Sequence, residues 1–367
     1  MKARSVVMAC AVLVGAAQLG VAQEPVVRLV HDEDNKQLVV VIGPVDLPAG
    51  AMVPEEAASP HQGGHEAHGA VFPEVTEVAI PISAYLYGFA YEVLDQDGNT
   101  LPTALLHHLN LINPDYQELF LPISQRMLAI GKETGNQSMP RLLLGYPVAE
   151  GARMVVAAML HNPIGRDLPG VTVRLALKYV KAGRPWPLLS VYPFQLDVAF
   201  PAGDKSLDLP PGRSAWSYEA SPAMAGRIMV IGGHLHEFAV SLKFEDVTEN
   251  KVIWEGLPVT DENDQLVGVT LGRLYRKLGA KITPDHVYRV TVTYENPFQD
   301  TLYSGGMGVI GGVFMPSQNI IWPVADQSHE LYVLDRRHYM REVDGRYDVI
   351  AGQAPATAAE HTEHRHE

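Results

Sequence analysis

The chain has 367 residues, with 28 Lys and Arg against 42 Asp and Glu, a formal net charge of −14. That acidity counts against nucleic acid or an anionic membrane surface as partner and suits solubility and cation capture. The single cysteine, Cys10, rules out a disulfide framework.

The chain opens with Lys2 and Arg4, an apolar run over 6–14 and small residues ending at Ala22. This pattern predicts a secretory signal peptide over 1–22, and the apolar run is too short to span a membrane. A lipoprotein reading would use Cys10 in Val7-Met8-Ala9-Cys10, but too little apolar sequence precedes it and too much follows. Cleavage after Ala22 removes the only cysteine and takes the charge from −14 to about −16, because Lys2 and Arg4 leave. Any metal site in the mature protein must then be built from His, Met, Asp or Glu. The expected location is the bacterial periplasm or the medium. No later segment is long and apolar enough to cross a membrane.

The rest of the chain has a period of two. Residues 26–30, 37–42, 171–177, 238–244 and 287–294 are β-rich runs bounded by turn residues, and 27 prolines and 32 glycines punctuate them. Many short strands with frequent turns predict an all-β chain of two tandem β-sandwich, jelly-roll-like domains. The N-terminal sandwich is expected over 23–183 and the C-terminal one over 184–335. The best boundary is Lys181-Ala182-Gly183-Arg184-Pro185-Trp186-Pro187. Residues 48–70, with His61, His65 and His68, read as a mobile insertion. Residues 336–367 read as a disordered tail whose end carries His361, His364 and His366. No close internal repeat stands out.

Three features carry chemistry. His107-His108 lies between leucines; adjacent strand residues point to opposite faces, so both rings reach one ion only if the backbone bends or they use different ring nitrogens. His234-Leu235-His236 puts two imidazoles on one strand face. Met307, among glycines in Gly305-Gly306-Met307-Gly308, offers a thioether that favours Cu(I) over zinc. Each has a bland counterpart: a surface pair, hydrogen-bonded core histidines, a packed methionine.

Taken in order, these motifs resemble the catalytic core of the type II copper, ascorbate-dependent monooxygenases, the peptidylglycine α-hydroxylating and dopamine β-monooxygenase family. The resemblance spans roughly 85–315 and includes Met159-Leu160-His161-Asn162-Pro163, Phe200-Pro201-Ala202-Gly203-Asp204-Lys205 and Asp285-His286-Val287-Tyr288. It implies two β-sandwiches, each with one copper, facing across a solvent-filled cleft. His107 and His108 would hold the electron-supplying copper, with either His161 or Met159 as third ligand. His234, His236 and Met307 would hold the copper that works on oxygen. The implied reaction hydroxylates a C–H bond of a small substrate with O2 and a reductant such as ascorbate. The chain departs from the family where a substrate-gripping arginine stands two residues before His-x-His; here that residue is Gly232. The family's Asn and Tyr after the Met ligand are Val309 and Gly311, and its disulfides are absent. A peptidylglycine substrate is therefore disfavoured. The alternatives are an exported copper-handling protein on the same scaffold and a metal-free structural or adhesive sandwich.

Overall fold

The computed structural model describes residues 26–50, 70–131, 134–183, 187–200, 205–262, 266–317 and 321–342. The expected leader with Cys10, the insertion histidines His61, His65 and His68, and the tail histidines His361, His364 and His366 lie outside the described residues. Among the described residues the chain is all-β apart from short 3-10 turns and one α-helix, and no helix is long and apolar enough to cross a membrane.

Two cores form, each between two sheets. In the first, Gln37–Leu47, Leu168–Lys181 and Ala84–Leu94 run side by side in an eight-stranded sheet. The alternation read in the sequence explains its inner face: Val171, Val173, Leu175 and Leu177 are buried while Arg174 is exposed. Across the core lies a five-stranded sheet in which Leu106–Gln117 pairs with Arg153–His161 on one side and Ser124–Gly131 on the other. Its Leu109, Leu111, Val156 and Leu160 close the core. Each such side chain contributes about 1.5–3 kcal/mol when fully buried.

The second core lies between two four-stranded sheets. One contains Tyr192–Asp197, Gly308–Pro316 and Gly226–Leu235; the other contains Gly212–Ala220, Tyr288–Asn296 and Ala239–Asp246. Ile228, Ile310 and Phe314 from the first meet Phe244, Val290 and Val292 from the second.

An internal correspondence emerges that is faint in the sequence. The strands Arg153–His161 and Tyr288–Asn296 both end at an Asn-Pro pair. Asn162 donates its amide to the carbonyls of Leu47, Pro48 and Arg166 and accepts from the Ile164 N–H. Asn296 donates to Leu209 and Asp300 and accepts from Phe298. In each half, one buried Asn carboxamide satisfies backbone groups released where the following proline ends the strand.

A helix, Glu330–Tyr339, crosses the expected 335/336 boundary. It is capped by His329, whose ring accepts the Leu331 N–H. Tyr332, Asp335 and Tyr339 fall on one helical face, and all three are buried. That face docks on the first unit. Asp335 takes Arg126 in a two-pronged ion pair at 2.5 and 2.8 Å, and the Tyr332 hydroxyl donates to the Pro114 carbonyl. Residues 336–342 are thus part of the folded body, held by contacts far away in sequence.

Beside that ion pair, Glu118 joins the two units. Its carboxylate accepts N–H bonds from Leu119, from Arg126 on the neighbouring strand and from Gln195 in the second unit. Burial pushes its pKa up to about 7, although those three donors pull it down.

Candidate metal centre

The His-pair strand contains the bend that two adjacent ligands require. Opposite the strand Arg153–His161, Met159 pairs with His108 but Leu160 pairs with Leu106, so His107 is an extra residue in a β-bulge. A bulge breaks the one-up, one-down alternation. The rings of His107 and His108 consequently lie 4.3 Å apart, centroid to centroid. His108, Met159 and His161 share the sheet face turned away from the first core, because Leu109, Ala158 and Leu160 take the inner face.

Both disputed ligands lie on that face. His161 ends its strand half-buried, 6.5 Å from His107 by ring centroid, and burial holds its pKa below the usual histidine value, favouring the neutral imidazole that metals bind. Met159 is buried, with 6 % of its surface exposed. Gly50 donates its N–H to the Asn162 carbonyl, and a Cβ there would lie 3.6 Å from His161 Nε2.

The second set sits where Gly226–Leu235 and Gly308–Pro316 pair, with His234 opposite Val309 and Leu235 opposite Gly308. His234 and His236, two residues apart, stand on one face with ring centroids 5.1 Å apart. His234 Nε2 is shut off from solvent. His236 follows and Met307 precedes this pairing at the same end, and Tyr294 ties them together. The Tyr294 hydroxyl accepts the N–H of His236 at 3.0 Å and of Met307 at 2.9 Å, and donates to the Met307 carbonyl. Tyr294 is fully buried, and burial pushes its phenol up to about 12, so it remains a donor. Tyr294 was missed by sequence reading, since nothing local marks a strand tyrosine as a clamp.

The glycines around the ligands have a packing reason. A Cβ on Gly233 would come within 2.3 Å of Leu242 Cδ2 and 2.5 Å of the Val309 carbonyl oxygen. One on Gly308 would come within 2.6 Å of Val292. Glu237 is turned away from the histidines: its carboxylate accepts the Leu266 N–H.

The two histidine sets meet. His108 and His234 have ring centroids 5.4 Å apart, so the rings of the two units are neighbours with no solvent-filled gap between them. The resulting row runs His161, His107, His108, His234, His236. With a metal–nitrogen bond of about 2.0–2.1 Å and the ring centre about 1 Å further out, two imidazoles on one ion keep their centroids within about 6 Å. The His107–His108, His108–His234 and His234–His236 contacts satisfy that limit, and His107–His161 lies just outside it. Among the described residues no three His, Cys, Asp or Glu side chains converge on a single point, so the donors fit an ion pairwise and close on it by ring rotation. The donor set, imidazoles with a thioether at hand and no carboxylate aimed in, suits copper better than magnesium or calcium.

No family model matches the chain, and no curated protein sequence matches it. Among solved structures, it is similar to PNGase F, a glycosylasparaginase from Flavobacterium meningosepticum, at 9 % identity and TM-score 0.34, over 78 % of this chain and 98 % of that one. It is also similar to the major capsid protein P2 of bacteriophage PM2, at 9 % identity and TM-score 0.31, over 69 % of this chain and 100 % of that one.

Proposed function

We propose that this is an exported copper protein that hydroxylates a C–H bond of a small substrate, using O2 and a reductant such as ascorbate. The observation that carries the reading is the row of five histidines, which joins motifs more than a hundred residues apart and ends beside Met307. His107 and His108, with His161 ahead of Met159, would hold the electron-supplying copper. His234, His236 and Met307 would hold the second. Bound copper would supply one-electron chemistry and oxygen activation.

The chain's own residues do the rest. Burial of His234 Nε2 keeps water from competing for that nitrogen. Desolvation keeps His161 neutral at lower pH than a free imidazole. Tyr294 fixes the backbones of His236 and Met307 relative to one another. The finer architecture, two jelly-roll-like sandwiches behind a cleaved leader that directs the protein to the periplasm or the medium, belongs to the same reading.

A specific observation favours the second reading, copper handling without hydroxylation. Gly232 stands where the resembled family grips substrate with arginine, and a Cβ there would come within 2.6 Å of Leu271 Cδ2. Leu271 Cδ2 is the tip of an exposed, flexible side chain that can move aside, so what the position lacks is the arginine itself rather than the room for one.

The test is copper stoichiometry after desalting, followed by ascorbate-driven oxygen uptake. The expected result is copper retained by the wild type and depleted in His234→Ala, with uptake above that of free copper only when a C–H substrate is present. Retained copper without substrate-coupled turnover selects the handling protein. Less than one copper per chain, unchanged by His234→Ala, selects the metal-free sandwich.

A further inference from the structure

We propose that the two histidine sets form one connected metal centre, in which His108 from the first unit and His234 from the second act on the same copper. The proposal rests on the copper reading above and departs from the pair of isolated sites that the sequence resemblance implies.

Three observations lead to it. The His108 and His234 rings, 5.4 Å apart by centroid, are no further apart than imidazoles on one ion can be, and nearly match the 5.1 Å of His234 and His236, which are paired by their own strand. His107, the bulged residue, brings a further ring to 4.3 Å from His108, so a second copper held there would be the direct neighbour of the first. The largest spacing in the row, 6.5 Å, falls between His107 and His161, within the first set rather than between the sets. The natural break in the row is thus not where the two units meet.

The consequence is chemical. His108 lies on a strand of the first unit and His234 on a strand of the second, so a shared ion clamps one to the other. Removing either ring then disturbs the copper held by the other set. Separate sites behave otherwise, since each loses only its own ion.

The experiment is a double-mutant cycle on copper affinity, read by competition with a chromophoric Cu(I) chelator, together with electron paramagnetic resonance of the Cu(II) protein. The variants are His108→Ala, His234→Ala and the double variant, repeated with Gln to preserve side-chain volume. Far-UV circular dichroism confirms that each is folded. The expected result is a loss of at least tenfold in either single variant, a double variant scarcely worse than the singles, and a changed Cu(II) spectrum for the copper still bound in His108→Ala. Wild type loaded with two equivalents is expected to lose signal intensity through coupling of neighbouring ions. Additive losses, with His108→Ala keeping one copper of unchanged spectrum, overturn the shared centre but leave the copper reading standing. Failure of the wild type to retain any copper removes both.

Discussion

The strand Leu106–Gln117 touches the second unit at both ends, and the two ends are built on opposite principles. At its start, His107 and His108 meet His234 through half-buried imidazoles in ring-to-ring contact. Just past its end, Glu118 is sealed in, with both carboxylate oxygens occupied by backbone N–H groups, beside the closed Arg126–Asp335 pair. The second end is complete as it stands. The first gathers imidazoles from both units. A closed ion pair at one end of the seam and imidazoles at the other let the first end set the spacing of the second.

The largest expected effect breaks the closed end. Arg126→Leu leaves Asp335 buried without its partner and is expected to cost about 3–5 kcal/mol in denaturant unfolding, whether copper is present or not. A loss that copper fully restores would show that the two ends are not independent.

Next comes the open end. Copper at a hundredfold excess over its dissociation constant is expected to stabilise the protein by about 2.7 kcal/mol, and His234→Ala to abolish that gain while leaving the apo protein close to wild type. Calorimetric scans with and without copper measure both.

Tyr294→Phe tests whether the clamp serves the ligands. It leaves two N–H groups and a carbonyl short of a partner and is expected to cost about 1–3 kcal/mol. It should also lower Cu(I) affinity more than Cu(II) affinity, because Met307 is the softer donor. An equal loss for both oxidation states would reduce Tyr294 to a packing residue.

The last effect is one of pH. Because the folded pKa of Glu118 lies near 7, above its ordinary value, the native state holds a proton that the unfolded chain has already released. Stability from this group is present below about pH 4.5 and is lost as pH rises through about 7. Glu118→Gln should remove that slope between pH 5 and 8 at a constant cost of about 1 kcal/mol for the N–H it no longer satisfies. An unchanged slope would assign the pH dependence to another group.

Some of this was legible in the residues and some was not. The period-two runs determined an all-β chain, since alternation at 171–177 is a local consequence of one buried face. The His-x-His spacing determined that His234 and His236 share a face. The bulge that turns His107 toward the side of His108 depends on the partner strand, which lies some fifty residues away. Docking of the helix Glu330–Tyr339 on the first unit was invisible for the same reason: its partners, Arg126 and Pro114, lie about two hundred residues earlier. The roles of Asn162 and Asn296 were faintly visible as two Asn-Pro pairs, but their carboxamides gain meaning only from distant carbonyls.

The sequence by itself determined which side chains are available to a metal and how each set of them is spaced along its own strand, because those are properties of local backbone geometry. Only the tertiary structure decided that His108 and His234 are neighbours. That contact comes from two units meeting along a seam with a sealed ion pair and Glu118 at its other end, and burial energy and long-range hydrogen bonds of that kind leave no period in the chain.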